Sequence, residues 1–358
     1  MTKKRCYLIT IFFLFFSFLS TSPTFASEFA FSISPVMPAN QAKEGLGYFS
    51  LVLAPKEVQT IQVAVLNTTD EPIKVNIALA QATTNVNGVV EYSPNTIQPD
   101  ETLKYDITKL ASFPKQVVLS ARETKTIDII IRMPEEKFDG VIAGGLTFKQ
   151  QIDQSKQTQN SESFSVNNEY QYVIALLMQQ NKNPITANLK LNEVKASQLN
   201  YRNVIFANLQ NINMAYLQDM QINAVVKGID NPDLLFQTTK ENMKMAPNTN
   251  FDFPIPIGDG QSFEAGKYQL NMSIFGDKSE TGQYQDEKGQ KFNSKWTFER
   301  EFTITSRKAS ELNHQDVTVV NNQPSVSWVL WFSLGILLIA VVVLVIVLVR
   351  MKNKFKSS

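Results

Sequence analysis

Long runs of alternating apolar and polar residues constrain the fold of this chain more than any other feature. In TIQVAVLNTTDEPIKVNIALA, the side chains of Ile61, Val63 and Val65 fall on one face, and the alternation resumes after the turn-rich residues 67–72. A period of two is typical of half-buried strands, and two such runs around a polar turn form a hairpin or a sandwich corner. Sustained helical periodicity occurs only near the carboxyl end. The pattern predicts an all-β protein of antiparallel sandwiches.

A polar stretch divides the alternating region into two domains. Residues 149–163 are almost devoid of apolar side chains, which is typical of a flexible connection or a long hairpin tip. The sequence predicts two tandem immunoglobulin-like β-sandwich domains, the first over residues 28–152 and the second over residues 160–306. The alternating strand at 170–179 fits either sandwich, so its membership stays open.

Two features mark the second sandwich. Gly266 and Tyr268 open a strand in the spacing of a tyrosine corner, and Trp296 begins an apolar row on the last strand. Arg300 falls in that row. We favour a bulge that resets the strand there; the alternative is an arginine whose head reaches water while its stem covers the row.

The amino end predicts secretion. Residues 1–26 combine basic residues, a short apolar run and an A-x-A-like site, which indicates a signal peptide cleaved between Ala26 and Ser27. A retained N-terminal anchor is the alternative.

The carboxyl end predicts a membrane anchor. Residues 326–349 form an uncharged apolar run, longer than the roughly 20 residues that cross a bilayer, and a basic tail follows at 350–358. A buried core helix and a sortase-processed anchor are the alternatives, but no LPxTG-like motif precedes the run. We therefore expect a single-pass plasma-membrane protein with its N-terminal ectodomain outside, a polar stalk at 307–325 and a cytoplasmic tail.

Composition excludes several functions for the predicted ectodomain. It retains 27 of the 34 Lys and Arg residues and all 33 Asp and Glu residues, so it is acidic and has no basic patch for nucleic acid. The lone cysteine lies in the signal segment, and the lone histidine, His314, lies in the predicted stalk. Nucleophilic triads and two-histidine zinc sites are thereby excluded, and we expect no cofactor or metal. A carboxylate cluster at Glu135, Glu136 and Asp139 leaves a glycosidase-like scheme as a rival, although such clusters are usually hydrated turns.

A glycine run interrupts the alternation near the end of the first domain. The run contains Gly140, Gly144 and Gly145 but lacks the lysine and the helix of a phosphate-binding loop. Glycine inside a strand indicates a bulge or a close approach of another backbone or ligand. We interpret the three glycines as structural landmarks.

Several stretches together resemble one family. The segments FSISPVMPANQAKEGLGYFSLVLAPKEVQTIQVAVL, FDGVIAGGLTF, EYQYVIALLMQQ and GKYQLNMSIFGD occur in the order seen in the WxL-interacting surface proteins of low-GC Gram-positive bacteria. The resemblance covers nearly the whole predicted ectodomain. It implies a peptidoglycan-binding first domain, a second domain assigned to host-surface binding, and partnership with secreted WxL-domain proteins at the cell wall. It carries no catalytic residues, so we expect a non-enzymatic adhesion protein; a purely structural spacer is the other rival.

Glycan binding uses exposed aromatic side chains beside amides or carboxylates. The candidates in the first domain are Tyr48, Phe49, Tyr92 and Tyr105. The alternative for each is an aromatic packed in the sandwich core. A protein partner has a further route, because an exposed sheet edge accepts an added strand through its backbone.

Overall fold

The strands predicted from the alternation form two sandwiches in the computed structural model. It describes residues 29–152, 170–319 and 327–355, and in the last segment it describes the side chains of 332–347. The strands of the first sandwich and of the hairpin attached to it are β1 (Phe31–Val36), β2 (Phe49–Val52), β3 (Val58–Asn67), β4 (Ile73–Gln81), β5 (Thr83–Thr84), β6 (Val90–Glu91), β7 (Ala111–Ser112), β8 (Gln116–Leu119), β9 (Thr124–Arg132), β10 (Ile142–Gln150) and β11 (Gln171–Gln179).

The first sandwich packs a four-stranded sheet, β1-β3-β9-β7, against a five-stranded sheet, β2-β11-β10-β4-β8. Alternate residues such as Val63, Ile129 and Leu146 are fully buried between the sheets, as the period of two requires. The strands β5 and β6 pair only with each other and form a hairpin. A 3₁₀ turn at Ile107–Lys109 begins after Asp106, whose carboxylate accepts a hydrogen bond from the Thr108 N–H.

The strand whose membership the sequence left open belongs to the first sandwich. β11 pairs antiparallel with β10 from Met178 at one end to Gln171 at the other, and it pairs parallel with β2. Ile174, Leu176 and Met178 are buried in the first core. Without β11, β10 would present an unpaired edge and β2 would lose its neighbouring strand.

The second sandwich has its own core and eight strands: β12 (Leu189–Leu199), β13 (Arg202–Asn211), β14 (Leu217–Gly228), β15 (Leu235–Met245), β16 (Thr249–Pro256), β17 (Gly266–Lys278), β18 (Tyr284–Gln285) and β19 (Lys291–Ile304). Its sheets have the orders β12-β13-β16 and β15-β14-β17-β19-β18. The Tyr268 hydroxyl donates to the Glu264 carbonyl at 2.8 Å, and its ring lies 1% exposed in the core. This hydrogen bond has the geometry of a tyrosine corner.

The expected bulge at Arg300 is absent. β19 pairs with β17 in one register from Ile304 through Trp296, with Arg300 opposite Leu270. The exposed guanidinium of Arg300 donates to the Leu191 carbonyl at 3.2 Å. The arginine therefore stays in the apolar row, as in the alternative interpretation, but its head group donates to the backbone of β12.

Part of the expected polar stalk is a helix of the second domain. The helix α1 (Ser306–Gln315) begins after Thr305, whose hydroxyl accepts a hydrogen bond from the Lys308 N–H. Ala309 and Leu312 are buried in the second core. The side chain of Asn313 exchanges two hydrogen bonds with the backbone of Phe263, at 2.7 and 2.9 Å. The second domain therefore extends past residue 306.

The structure contradicts the predicted membrane anchor. Among the described residues, no helix is both long enough and apolar enough to cross a membrane. The last helix, α2, spans Ser327–Phe355. The prediction of a single-pass plasma-membrane protein with a cytoplasmic tail is wrong for the described part of the chain. The predicted signal peptide, with Ala26 and Ser27, lies outside the described residues.

Candidate functional site: a tyrosine groove between the domains

Small side chains allow the two sandwiches to meet closely. Ala82 and Ala143 of the first domain and Ala246 of the second are fully buried in a small apolar cluster of their own. The Val141 N–H donates to the Met214 carbonyl across this junction at 2.7 Å. Alanine leaves the backbones within hydrogen-bonding reach of each other, which larger side chains would prevent.

The glycine run supplies the rest of this close approach. Gly140 has a φ of +102°, and a Cβ placed on it would lie 2.3 Å from the Met214 carbonyl oxygen. A Cβ on Gly145 would lie 2.5 Å from the carbonyl oxygen of Tyr92. Both distances are shorter than any real contact, and both involve backbone atoms that cannot rotate away. Glycine is therefore required where the Tyr92 segment crosses β10 and where the second domain contacts the first.

One side of the junction is closed by buried hydrogen bonds around Asp100. This carboxylate accepts from the hydroxyl and N–H of Thr102 in its own domain, and from the side-chain amides of Gln210 and Asn250 in the second domain. Burial alone raises the pKa of Asp100, but the hydrogen bonds from Thr102, Asn250 and Gln210 outweigh it and hold that pKa below its ordinary value. Asp100 is therefore ionised and fully paired at neutral pH.

The hairpin β5–β6 adds a second set of contacts to the closed side. The buried hydroxyls of Thr84 and Thr249 lie 2.7 Å apart, and the Thr84 hydroxyl also accepts from the Ala246 N–H. At the hairpin tip, the Lys244 N–H donates to the Gly88 carbonyl at 2.7 Å. A cavity of about 200 Å³ lies beside Asp100, and amides in its wall already bind protein groups, for example Asn250 to Asp100.

The other side of the junction is open and forms what we call the tyrosine groove. This groove has a volume of about 620 Å³, and both domains line it. The first domain contributes Tyr48, Tyr92 and Leu177, and the second contributes Tyr216, Gln218 and Lys244. Ala175 and Leu177 come from the outward face of β11, so the strand that completes the first sandwich also forms the floor of the groove.

A hydrogen bond joins two of the three tyrosines of the groove. The hydroxyls of Tyr92 and Tyr216 lie 3.0 Å apart across the domain boundary. Burial raises the pKa of Tyr216 well above its usual range, and Tyr92 and Tyr48 add to the increase. Burial also raises the pKa of Tyr92. Their hydroxyls therefore stay neutral at physiological pH and serve as uncharged donors and acceptors.

The fixed charge of the groove is positive. Among the described residues, Lys244 lines it and no carboxylate does. Within the described residues, the ammonium group of Lys244 makes no ion pair or hydrogen bond, and its side chain is exposed. The arrangement suits a neutral or anionic ligand with an apolar face.

The structure brings together two of the four glycan-binding candidates. Tyr48 and Tyr92 line the groove. Phe49 is fully buried in the first core, where no glycan reaches it. The ring of Tyr105 packs against Phe138 in a tilted arrangement, with centroids 5.1 Å apart, and the Tyr105 hydroxyl donates to Glu136 at 3.3 Å.

Sequence reasoning missed Tyr216. It precedes β14 in the second domain, and only the folded arrangement of the two domains places it beside Tyr92. Local alternation around Tyr216 carries no signal for this contact, because the two tyrosines lie in separate domains.

The carboxylates of the rival hydrolytic scheme do not converge on one another. Glu135 pairs with Lys56 at 3.0 Å, and Asp139 accepts from two asparagine amides. The hydrogen bond and the charge of Lys104 lower the pKa of Glu136, which is the wrong direction for a general acid.

In the described ranges, no three His, Cys, Asp or Glu residues are placed to hold a metal ion. His314 lies exposed on α1.

Comparison with protein families assigns both domains. Residues 31–150 match the family described as WxL Interacting Protein, peptidoglycan binding domain. Residues 161–314 match WxL Interacting Protein, host binding domain. The second match begins before β11, which the structure pairs with the first domain. No curated protein matches the chain.

Several solved structures align with the chain at low similarity. They include the class 5 fimbriae chaperone CfaA, at 14% identity and a TM-score of 0.30 over 75% of this chain and 98% of that one. The E. coli chaperone DraB matches at 12% identity and a TM-score of 0.27, over 77% and 98%. The Pseudomonas aeruginosa chaperone CupB2 matches at 12% identity and a TM-score of 0.27, over 70% and 95%.

Proposed function

Because the chain belongs to the WxL-interacting protein family, we propose that it is a non-enzymatic cell-surface protein that binds peptidoglycan and a WxL-domain protein. The observation that carries this proposal is the order of the two matched domains along one chain, a peptidoglycan-binding domain followed by a host-binding domain. The family name supports the WxL-domain partner. The description of the second domain supports a host surface ligand as a further partner.

The arrangement of polar side chains supports a binding role over catalysis. The acidic cluster at Glu135, Glu136 and Asp139 is engaged in exposed pairs and amide contacts. A glycosidase needs two carboxylates facing one bond, with one of them protonated near neutral pH. The tyrosine groove, lined by neutral hydroxyls and amides, has instead the chemistry of a binding surface.

The first test is co-sedimentation of residues 29–319 with purified Gram-positive sacculi at low and high salt. This range contains every residue of the three hydrophobic clusters, so both cores and the junction remain whole. We expect saturable pelleting that weakens at high salt but persists, because salt screens the single charge of Lys244 and leaves the contacts of the tyrosines in place. The same chain after heat unfolding is the control. Folded protein that stays in the supernatant at every concentration would contradict the wall-binding role.

The second arm tests the protein partner. A purified WxL-domain protein should co-elute with residues 29–319 in size-exclusion chromatography and show saturable binding. A purely structural spacer predicts no saturable ligand in either arm.

A further inference from the structure

We propose that the tyrosine groove is a saccharide-binding site shared by both domains, and that it takes an N-acetylated sugar chain bearing a carboxylate. The inference rests on the proposed wall-binding function and deepens it, since it places the glycan at the domain junction rather than on the first domain alone. The observation behind it is the composition of the groove, with Tyr48 and Tyr92 on one wall and Tyr216 on the other.

Aromatic and amide groups together favour a sugar over a fully apolar ligand. A pyranose ring offers a C–H face that packs on tyrosine, and its hydroxyl and acetamido groups need donors and acceptors at the edges. The groove provides both, since the Tyr92 and Tyr216 hydroxyls are 3.0 Å apart and Gln218 lies beside them. Leu177 supplies an apolar floor for the acetamido methyl group.

Lys244 defines the charge of the ligand. It is the only charged residue among those that line the described groove, and its ammonium group has no protein partner among the described residues. An ammonium group beside neutral hydroxyls complements a carboxylate and repels a cation. A sugar that carries a lactyl or uronic carboxylate matches this pattern better than a neutral hexose.

The closed side of the junction holds the groove in shape. Asp100 joins Thr102 of one domain to Gln210 and Asn250 of the other, so the two walls are fixed relative to each other. A preformed site avoids the entropic cost of ordering two walls when the ligand binds. Neither domain alone contains the site.

The alternative occupant is an extended protein segment lying on the same floor. Such a segment would also use Leu177 and the tyrosines, but it would not need Lys244 or compete with free sugars. The experiment therefore includes soluble ligands of both kinds.

The test compares two groove variants of residues 29–319, Tyr48→Ala in the first domain and Lys244→Glu in the second. Matched controls are Tyr201→Ala, at a tyrosine that is 72% exposed, and Lys227→Glu, at the far end of β14. Ligands are sacculi, peptide-free glycan strands with free lactyl carboxylates, N-acetylglucosamine oligomers and a purified WxL-domain protein. Each variant is first shown to unfold within about 2 °C of the wild type, so that a loss of binding is not a loss of folding.

We expect Tyr48→Ala to weaken binding of every sugar ligand at least tenfold. Lys244→Glu should weaken the carboxylate-bearing strands at least tenfold and the neutral oligomers less than threefold, and both control variants should bind as the wild type does. If the wild type pellets with sacculi and both groove variants pellet equally well, the groove inference fails while the proposed function stands. If the wild type binds neither sacculi nor any soluble sugar, both fail. If soluble sugars bind and need Tyr48 and Lys244, but the wild type does not pellet with sacculi, the groove inference stands and the wall-binding role is wrong. If the groove variants lose only the binding of a WxL-domain protein, the groove binds protein and the inference is wrong.

Discussion

The two sides of the domain junction contain similar polar residue types, but these residues are paired on one side and accessible on the other. On the closed side, the polar atoms of Asp100, Thr84 and Thr249 are buried and hydrogen-bonded to other side chains or to backbone groups. On the groove side, Lys244 is exposed and has no protein partner within the described residues, and the tyrosines are only half-buried. Buried polar groups that are fully satisfied hold one geometry, while accessible ones remain available to a ligand.

We therefore expect residues on the closed side to determine stability and residues in the groove to determine ligand affinity. Changes on the closed side should lower the free energy of unfolding, and changes in the groove should lower affinity with little effect on folding. Three perturbations, ordered from the largest expected effect to the smallest, test whether the separation holds.

Gly145→Val should have the largest effect, because it disturbs both the packing on β10 and the position of Tyr92 in the groove. The new Cβ would lie 2.5 Å from the Tyr92 carbonyl oxygen, so β10 or the Tyr92 segment must move. Overpacking against backbone costs about 3 kcal/mol of unfolding free energy, at the upper end of such substitutions. Chemical denaturation of residues 29–319 measures the loss. Because Tyr92 moves, binding in the groove should fall with it.

The matched control for that variant is Gly47→Val, where a Cβ has no neighbour within 4 Å. An equal loss of stability at both glycines would show that the effect comes from valine itself. Unchanged stability of Gly145→Val would mean that the crossing of Tyr92 over β10 is not tight.

The features of this fold that the sequence predicts are those encoded by residues close together in the chain. Alternation predicted strands and their buried rows where the pattern is regular, because β3 and β9 bury alternate residues such as Val63 and Ile129. The tyrosine spacing at Tyr268 is also local, and its hydroxyl binds four residues upstream. The continuous register at Arg300 was missed because an arginine that reaches across to Leu191 has the same local pattern as a bulge.

Contacts between distant segments explain the rest. β11 follows a polar stretch, and its pairing with β10 and β2 is a matter of sheet topology that its own alternation does not encode. Polar composition hid α1, whose two buried residues, Ala309 and Leu312, are too few to give a visible helical period. The groove itself exists only when Tyr216 meets Tyr92 across the domains.

Asp100→Ala tests the closed side alone. The substitution removes the acceptor for the amides of Gln210 and Asn250 and leaves both donors without their partner at the junction. Hydrogen bonds to a charged group contribute about 1.5–3 kcal/mol, so we expect a loss of roughly 2 kcal/mol of unfolding free energy. Glu101→Ala, at the exposed neighbouring residue, is the control and should change little. Equal stability of the two variants would show that Asp100 does not hold the domains together.

The smallest expected effect is a fall in the free energy of unfolding at low pH. The affinity of the groove for its ligand should not follow it. The hydrogen bonds around Asp100 hold its pKa in the folded chain below the ordinary 3.8, despite the opposing effect of burial. A carboxyl whose pKa is depressed on folding contributes stability above its unfolded pKa, and that contribution is lost as the pH falls through the folded value. The free energy of unfolding should therefore decline below about pH 4, and Asp100→Asn should flatten part of that decline.

Other carboxyls with lowered pKa, such as Glu123 and Glu136, contribute to the same decline, so the difference between wild type and Asp100→Asn isolates the closed side. Saccharide binding should stay level between about pH 5 and 8, because the pKa values of Tyr92 and Tyr216 are raised away from that range. Titrations of unfolding and of glycan affinity on the same samples measure both. If glycan affinity and the free energy of unfolding fell together above pH 5, the two sides of the junction would act as one unit. Stability and binding would then not be separable.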